Sequence, residues 1–253
     1  MKISLIQTAL AWEDPAANRA NFTQLISSIA ATDLIVLPEM FATGFTMNPA
    51  AVAEKKNGES VAWMVHTAKV NDCAITGSLV IEEDGKYYNR LFFVYPDGEI
   101  KTYNKRHLFS YAEEDKFYTK GTEKLILEYK GWKICPLVCY DLRFPVFARN
   151  TEGYDLLLYV ANWPQVRTVA WDALLKARAI ENLSYTVGVN RIGQDGNGHA
   201  YSGHTQALDA LGDYLLEPTE EAGVFTVALD KEVLETTRNR FAFLNDRDDF
   251  IMT

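Results

Sequence analysis

Cysteine is scarce in this sequence: Cys73, Cys135 and Cys139 are the only three in 253 residues. An odd number without regular spacing excludes a secreted disulfide framework and suits a reducing compartment. Long hydrophobic runs are also missing. No stretch reaches the ~18 uninterrupted apolar residues that a membrane span needs. The opening MKISLIQTAL has no long apolar core and no small-residue cleavage site, so no signal peptide is expected. Without Ser/Gly or Pro tracts, charge blocks or a fixed-period repeat, residues 1–253 are expected to form one domain. Positive charge is in deficit, with 25 Lys and Arg against 34 Asp and Glu and a formal net charge of −9. That balance argues against nucleic acid and anionic membranes as general partners. It leaves room for a small anionic substrate, because local cations override the net field. The expected setting is the cytoplasm.

What is present is an ordinary globular composition, 48% apolar and 23% charged. The chain is long enough to bury a full core without disulfides or metal. ISLIQTAL reads as a strand. Pro15 to Thr32 reads as an amphipathic helix with Phe22, Leu25, Ile26 and Ile29 on one face. DLIVLPEM is a strand buried on both faces, and VAWMVHTAKV is a helix. CAITGSLVIEEDGKYYNRLFFVYPDGEI reads as an antiparallel meander, with turns at Asp84-Gly85 and Pro96-Asp97-Gly98. WKICPLVCY and DLLLYVANWP are buried strands, separated by a short helix in PVFARNTEG ended by Gly153. Val166 to Asn182 is a strong helix, with Trp171, Leu174, Leu175, Ala179 and Leu183 as its apolar face. YTVGVNRIG, HTQALDALGDYLLEP and GVFTVALD are strands, and KEVLETTRNRF is a last helix. Two stacked sheets between two helical layers fit this order.

Three stretches place an ionisable or nucleophilic group at or beyond the end of an apolar strand: IVLPEMFATGF with Glu39, YNKRHLF with Lys105 and LVCYDLRFP with Cys139. Strand ends are where α/β sheets open into clefts. Pro38 removes a ladder donor, so Glu39 is expected to leave the sheet. Taken singly, each residue also fits a plain structural part. An acid after a strand caps a turn, a lysine in a basic cluster is a surface charge, and an apolar-flanked cysteine fills core. The last reading suits Cys73 and Cys135.

Taken together, the three make a mechanism. A thiol with an ordinary pKa near ~8.5 is mostly protonated at neutral pH and needs a base, which Glu39 supplies. Lys105 and the backbone N–H of Tyr140 are donors for the oxyanion of an attacked carbonyl. Covalent catalysis then passes through a thioester. Of the histidines, His66, His107, His199 and His204, none sits in a comparable strand-end motif. A metal shared by Cys135 and Cys139 is disfavoured, because four residues along a strand separate the sulfurs by about 13 Å. GNGHAYSGH lacks the phosphate-loop pattern and reads as a turn. No metal or cofactor is expected.

These motifs, in this order and spacing, resemble the nitrilase superfamily of carbon–nitrogen hydrolases, most closely its omega-amidase branch. Glu39 leads Lys105 by 66 residues and Cys139 follows 34 later. LPEMFATGF, NKRHLF, CYDLRFP, ANWP, KARAIEN and the first strand all match, so the likeness runs through nearly the whole chain. It implies an α/β fold, an αββα sandwich of two mixed sheets flanked by helices. It also implies Glu39 as general base, Cys139 as nucleophile and Lys105 as stabiliser of the intermediate. A second glutamate is expected seven residues before Gly121, which is Glu114, with Glu113 the neighbouring alternative.

The branch implies hydrolysis of short 2-oxo acid amides, chiefly 2-oxoglutaramate and 2-oxosuccinamate, to the acid and ammonia. Such substrates end in a carboxylate, for which Arg143 and Arg191 are the candidate cations; Arg143 fits equally as a partner of Asp141. Phe45 and Trp163 are expected as pocket walls. Within the superfamily, an N-carbamoyl amino acid or a nitrile is the alternative substrate. Outside the enzymes, the alternative is a silent binding or scaffold member. A homodimer or higher homo-oligomer is implied through helices near the nucleophile and a tail bearing Phe241, Phe243, Leu244, Phe250 and Ile251, although that tail suits packing on its own chain too. One departure is Thr205, where the family more often has serine, and it keeps the hydroxyl.

Overall fold

The computed structural model describes residues 1–251. The elements run β1 (Lys2–Gln7), α1 (Pro15–Ile26), β2 (Leu34–Val36), α2 (Pro49–Val52), α3 (Glu59–Asn71), β3 (Ala74–Glu83), β4 (Lys86–Val94) and β5 (Ile100–Asn104). Then come α4 (Glu114–Phe117), β6 (Leu127–Tyr129), β7 (Trp132–Val138), α5 (Pro145–Ala148), β8 (Leu156–Val160), α6 (Thr168–Asn182) and β9 (Tyr185–Val189). β10 (Ile192–Gln194), β11 (Ala200–Ser202), β12 (Gln206–Leu208), β13 (Tyr214–Leu216), β14 (Gly223–Ala228) and α7 (Lys231–Phe241) complete the order. Two six-stranded sheets result, β14-β1-β2-β3-β4-β5 and β13-β12-β9-β8-β7-β6, with β10 and β11 forming a separate hairpin. Both large sheets are mixed. β1, β2 and β3 are parallel in one and β7, β8 and β9 in the other, with antiparallel strands outside them. The α/β architecture of two mixed sheets flanked by helices agrees with the sequence expectation.

Side-chain alternation in the strands assembles the layers. Leu34, Val36, Leu91 and Phe93 join the core between the sheets, whereas Ile35, Phe92 and Val94 turn to the other face and pack with Phe22, Ile26 and Met64 of α1 and α3. On the second sheet, Trp171, Leu175 and Ala179 of α6 join the core of β7–β9. At Gly188 a Cβ would lie 2.5 Å from Leu175 and 2.6 Å from Trp171, so the glycine lets α6 settle onto β9. The β3–β4 hairpin closes through Asp84 and Gly85, both at positive φ (52° and 72°), the backbone that a two-residue turn matching strand twist requires.

Several boundaries differ from the sequence expectation. α1 stops at Ile26 rather than Thr32, because the hydroxyls of Ser27 and Ser28 take the carbonyls of Gln24 and Leu25 and the chain tightens into i→i+3 turns. α5 is a single turn ending at Ala148, well short of Gly153. Asn150 there bonds to the backbone of Tyr154 and, through its N–H, to Asn182, which pulls the chain out of the helix. Leu183 is the left-handed cap of α6 rather than part of its face.

The strand ends that matter lie together. Just past β2 the Leu37 N–H still reaches the Thr76 carbonyl, Pro38 has no N–H to continue the ladder, and the chain touches β3 again where the N–H groups of Met40 and Phe41 bond to the hydroxyl and carbonyl of Ser78. β7 carries Pro136 beyond the short β6, which pairs only with Trp132–Ile134, so no β6 carbonyl is left without its donor. After β5, Lys105 bonds through its N–H to Asn89 and through its carbonyl to the N–H of Gly121, each at 2.9 Å. A Cβ at Gly121 would sit 2.2 Å from the carbonyl oxygen of Asn104, so only glycine fits this approach. Gly121→Ala is expected to destabilise the protein by about 1–3 kcal/mol, read as a lower urea midpoint with unchanged slope. An unchanged midpoint would show that the segments separate freely.

Candidate active site

At the ends of β2, β5, β7 and β8 the two sheets open into a cavity of about 410 Å³, with Lys105, Cys139 and Asn162 in its lining. Each buried side chain there has a local cause. Pro38 ends pairing and Glu39 follows, fully buried, before Met40 turns at φ 42°. Cys139 follows the last residue of β7, starts a 3-10 turn through Arg143 and has φ 46°. A non-glycine residue in the left-handed region is strained, and such residues cluster where a side chain must be presented at a fixed angle.

Lys105 is the hub. Its Nζ donates to Glu39 Oε1 at 2.8 Å and to Glu114 Oε1 and Oε2 at 3.0 and 2.9 Å, all three side chains being inaccessible to solvent. Glu39 Oε1 also accepts from Asn89 Nδ2 (2.7 Å), and its Oε2 from the backbone N–H of Asn162 (2.8 Å). Glu114 accepts further from Asn89 Nδ2 (3.2 Å) and from the N–H of Phe109 (2.6 Å). The Cys139 thiol faces the carbonyl of Asn162 at 3.9 Å, and Glu39 and Lys105 are among its charged neighbours.

The electrostatics follow from this packing. Burial works against the charge on Lys105, but the carboxylates of Glu114 and Glu39 outweigh it, and its pKa is raised. Burial raises the pKa of Glu114, with Lys105 pulling the other way. Burial and then the Glu39 carboxylate push the Cys139 thiol well above its ordinary value, so it rests as S–H. The other two thiols are raised by burial alone in the main, Cys73 to about 11. The set can therefore hold a neutral thiol beside a carboxylate able to take its proton and an ammonium able to meet a developing anion.

The structure brings Glu39, Lys105, Glu114 and Cys139 into one buried cluster. Glu113 stands outside it, exposed and paired with Lys116, so the choice between neighbouring acids falls to Glu114. Lys105 and Glu39 depart from the surface and cap readings because both are sealed in. Phe45 lines the cavity with its ring 5.1 Å from Lys105 Nζ, and Tyr140 and Trp163 line it as well. Arg143 is not paired with Asp141. It is exposed at the cavity, stacked 5.0 Å from the Trp163 ring.

Arg191 corrects the expectation: it is fully buried and outside the cavity lining. It donates to the carbonyls of Ile192, Leu10 and Gln194 and lies 4.7 Å from the Tyr201 ring, fastening the base of the β10–β11 hairpin. Thr205 uses its hydroxyl on Asn190, accepting from the N–H at 3.1 Å.

Sequence reasoning missed Asn89, Asn162 and the hairpin. Asn89 was legible as one polar residue inside the buried strand YYNRLFFV. The hairpin reads locally as a turn, yet Asp195, Asn197, His199 and Tyr201 from it form a cavity wall. Alternation of polar residues across GNGHAYSGH was the available signal. Among the described residues, no group of three or more His, Cys, Asp and Glu is arranged to hold a metal ion, and no helix is long and apolar enough to cross a membrane.

Comparison with known proteins bears on the family and the fold. The carbon-nitrogen hydrolase family model matches residues 2–239. The chain is 45% identical to the omega-amidase YafV of Yersinia enterocolitica, over 100% of this chain and 98% of that protein. It is 31% identical to the 2-oxoglutaramate amidase of Bacillus subtilis strain 168, over 96% of each. The crystal structure of XC1258 from Xanthomonas campestris, a CN-hydrolase superfamily protein with an arsenic adduct in its active site, superposes with a TM-score of 0.98 at 42% identity, covering 100% of this chain and 99% of that one. The chain belongs to the carbon-nitrogen hydrolase family, within the nitrilase superfamily, and is a hydrolase of carbon–nitrogen bonds.

Proposed function

We propose that this protein is an amidase that removes ammonia from the terminal amide of short 2-oxo dicarboxylic acid monoamides, 2-oxoglutaramate and 2-oxosuccinamate, through a thioester on Cys139. The observation that carries the reading is the buried Lys105 ammonium, gripped by Glu39 and Glu114 beside a neutral thiol on a cavity wall that also holds an unpaired-by-carboxylate Arg143. The names of the omega-amidase and 2-oxoglutaramate amidase relatives support it.

In this mechanism Glu39 takes the thiol proton as Cys139 attacks the amide carbon. Negative charge moves to the carbonyl oxygen, where Lys105 and the N–H of Tyr140 receive it. Collapse breaks the C–N bond, and Glu39 returns its proton to the departing ammonia. Water, deprotonated by the same carboxylate, attacks the thioester; the C–S bond breaks, Glu39 passes that proton to the Cys139 sulfur, and the acid is freed. Glu114 holds Lys105 in place and balances its charge. Arg143, levelled against Trp163, takes the far carboxylate of the substrate. No metal or organic cofactor enters the scheme. A cytoplasmic setting and self-association belong to the same proposal; exposed Phe243, Phe250 and Ile251 support the latter.

Ammonia release from 2-oxoglutaramate, glutamine, an N-carbamoyl amino acid and a simple nitrile is expected to be fastest with 2-oxoglutaramate. Cys139→Ala is expected to abolish it and Cys139→Ser nearly so, and intact mass spectrometry of the wild type after brief exposure to substrate is expected to show an acyl adduct. Full turnover by either variant would remove Cys139 as nucleophile. No adduct together with no ammonia would favour a binding protein.

Arg143→Ala is expected to raise KM for 2-oxoglutaramate by about tenfold or more, the ~1.5–3 kcal/mol scale of a charge-assisted hydrogen bond, while leaving a short neutral amide little changed. Equal losses on both substrates would count against a carboxylate contact.

A further inference from the structure

Asp141 lies two residues past Cys139, is fully buried and is absent from the cavity lining. Four donors converge on its two oxygens. Oδ1 accepts from the backbone N–H of His107 (3.1 Å) and from its Nδ1 (2.7 Å). Oδ2 accepts from the Tyr103 hydroxyl (2.8 Å) and from the backbone N–H of Val138 (2.9 Å). Tyr103 and His107 stand two residues to either side of Lys105, and Val138 immediately precedes Cys139. The Tyr103 oxygen also accepts from the N–H of Arg106 (3.1 Å). Because a carboxylate offers only acceptors, His107 carries its proton on Nδ1. The imidazole lies flat on Phe144, with centroids 3.7 Å apart and planes 5° apart. Phe144 in turn meets the Tyr140 ring edge-on at 5.1 Å.

We infer that Asp141, clamped by His107, is a positioning residue that sets the spacing between Lys105 and Cys139. The inference rests on the reading of those two as oxyanion cation and nucleophile. Lys105 follows β5 of one sheet and Cys139 follows β7 of the other, and no ladder joins the two sheets among the described residues. Apolar packing between sheets is non-directional and permits small slides. Four directed hydrogen bonds to one buried carboxylate do not. They pin the chain before and after the lysine to the residue before the thiol. A carboxylate is required rather than an amide, because an asparagine would turn its NH2 toward the backbone N–H of either His107 or Val138, which can only donate.

The test measures kcat and KM for ammonia release from 2-oxoglutaramate, with thermal melts alongside, for Asp141→Asn, His107→Phe, His107→Asn and Cys139→Ala. His107→Phe keeps a ring on Phe144 and removes the Nδ1 donor. His107→Asn loses the ring but returns an amide N–H near the Nδ1 position. Asp141→Asn and His107→Phe are expected to lower kcat at least about tenfold with KM nearly constant, since displacements of ~1 Å cost up to ~10²-fold in rate. His107→Asn is expected to recover most of that loss. If Asp141→Asn does not fold, the His107 pair, whose ring is partly solvent-exposed, carries the comparison alone. Unchanged kcat in His107→Phe, a rise in KM at constant kcat, or a His107→Asn no better than His107→Phe would each overturn the inference. An inactive Cys139→Ala beside a fully active His107→Phe sinks the positioning role only, whereas an active Cys139→Ala sinks the reading beneath it.

Discussion

The site depends on one ammonium group held where water cannot reach it. Desolvating Lys105 is costly by itself, and desolvating Glu39 and Glu114 adds to that cost. The three are stable together because each charge is met at hydrogen-bond distance and the spare acceptor positions are filled by Asn89 and by the N–H groups of Phe109 and Asn162. Removing one partner from such a buried set typically costs about 3–5 kcal/mol. The elements that carry these residues are therefore tied to one another by charge as well as by packing: the end of β2, the end of β5, α4 and the chain after β8.

The same cluster sets the state of the thiol. Burial is the main obstacle to a thiolate at Cys139, and the neighbouring Glu39 adds to it against the opposing pull of Lys105, which is why the thiol pKa is driven up rather than down. In the proposed mechanism, moving the proton to Glu39 while the sulfur forms its bond avoids a free thiolate, since the charge passes to the carbonyl oxygen and the total is unchanged. Imidazole-activated cysteines solve the problem differently, by making an ion pair in advance. Here the imidazole of His107 sits behind the site, on Asp141.

Much of the fold was legible. The period-two strands, the Asp84-Gly85 turn and the face of α6 follow from local sterics and side-chain alternation, which the chain carries in its own order. Helix ends were less so: Ser27, Ser28 and Asn150 end helices by side-chain bonds, and for Asn150 one partner, Asn182, lies 32 residues away. Glu39, Lys105 and Cys139 were legible as strand-end residues. Arg191 was not, since nothing local separates an arginine that lines a pocket from one that braces a hairpin.

The sequence by itself determined which chemical groups are available and that strands stop beside them, because a proline in the ladder and a polar residue after an apolar run act within a few positions. Only the tertiary structure decided that these groups form one buried cluster at a cavity, that Glu114 rather than Glu113 reaches Lys105, and that Arg143 faces the cavity while Arg191 does not. Those outcomes depend on how two sheets stack and where a hairpin folds back. Such contacts link residues far apart in the chain, and their energies exist only once the intervening core has excluded water.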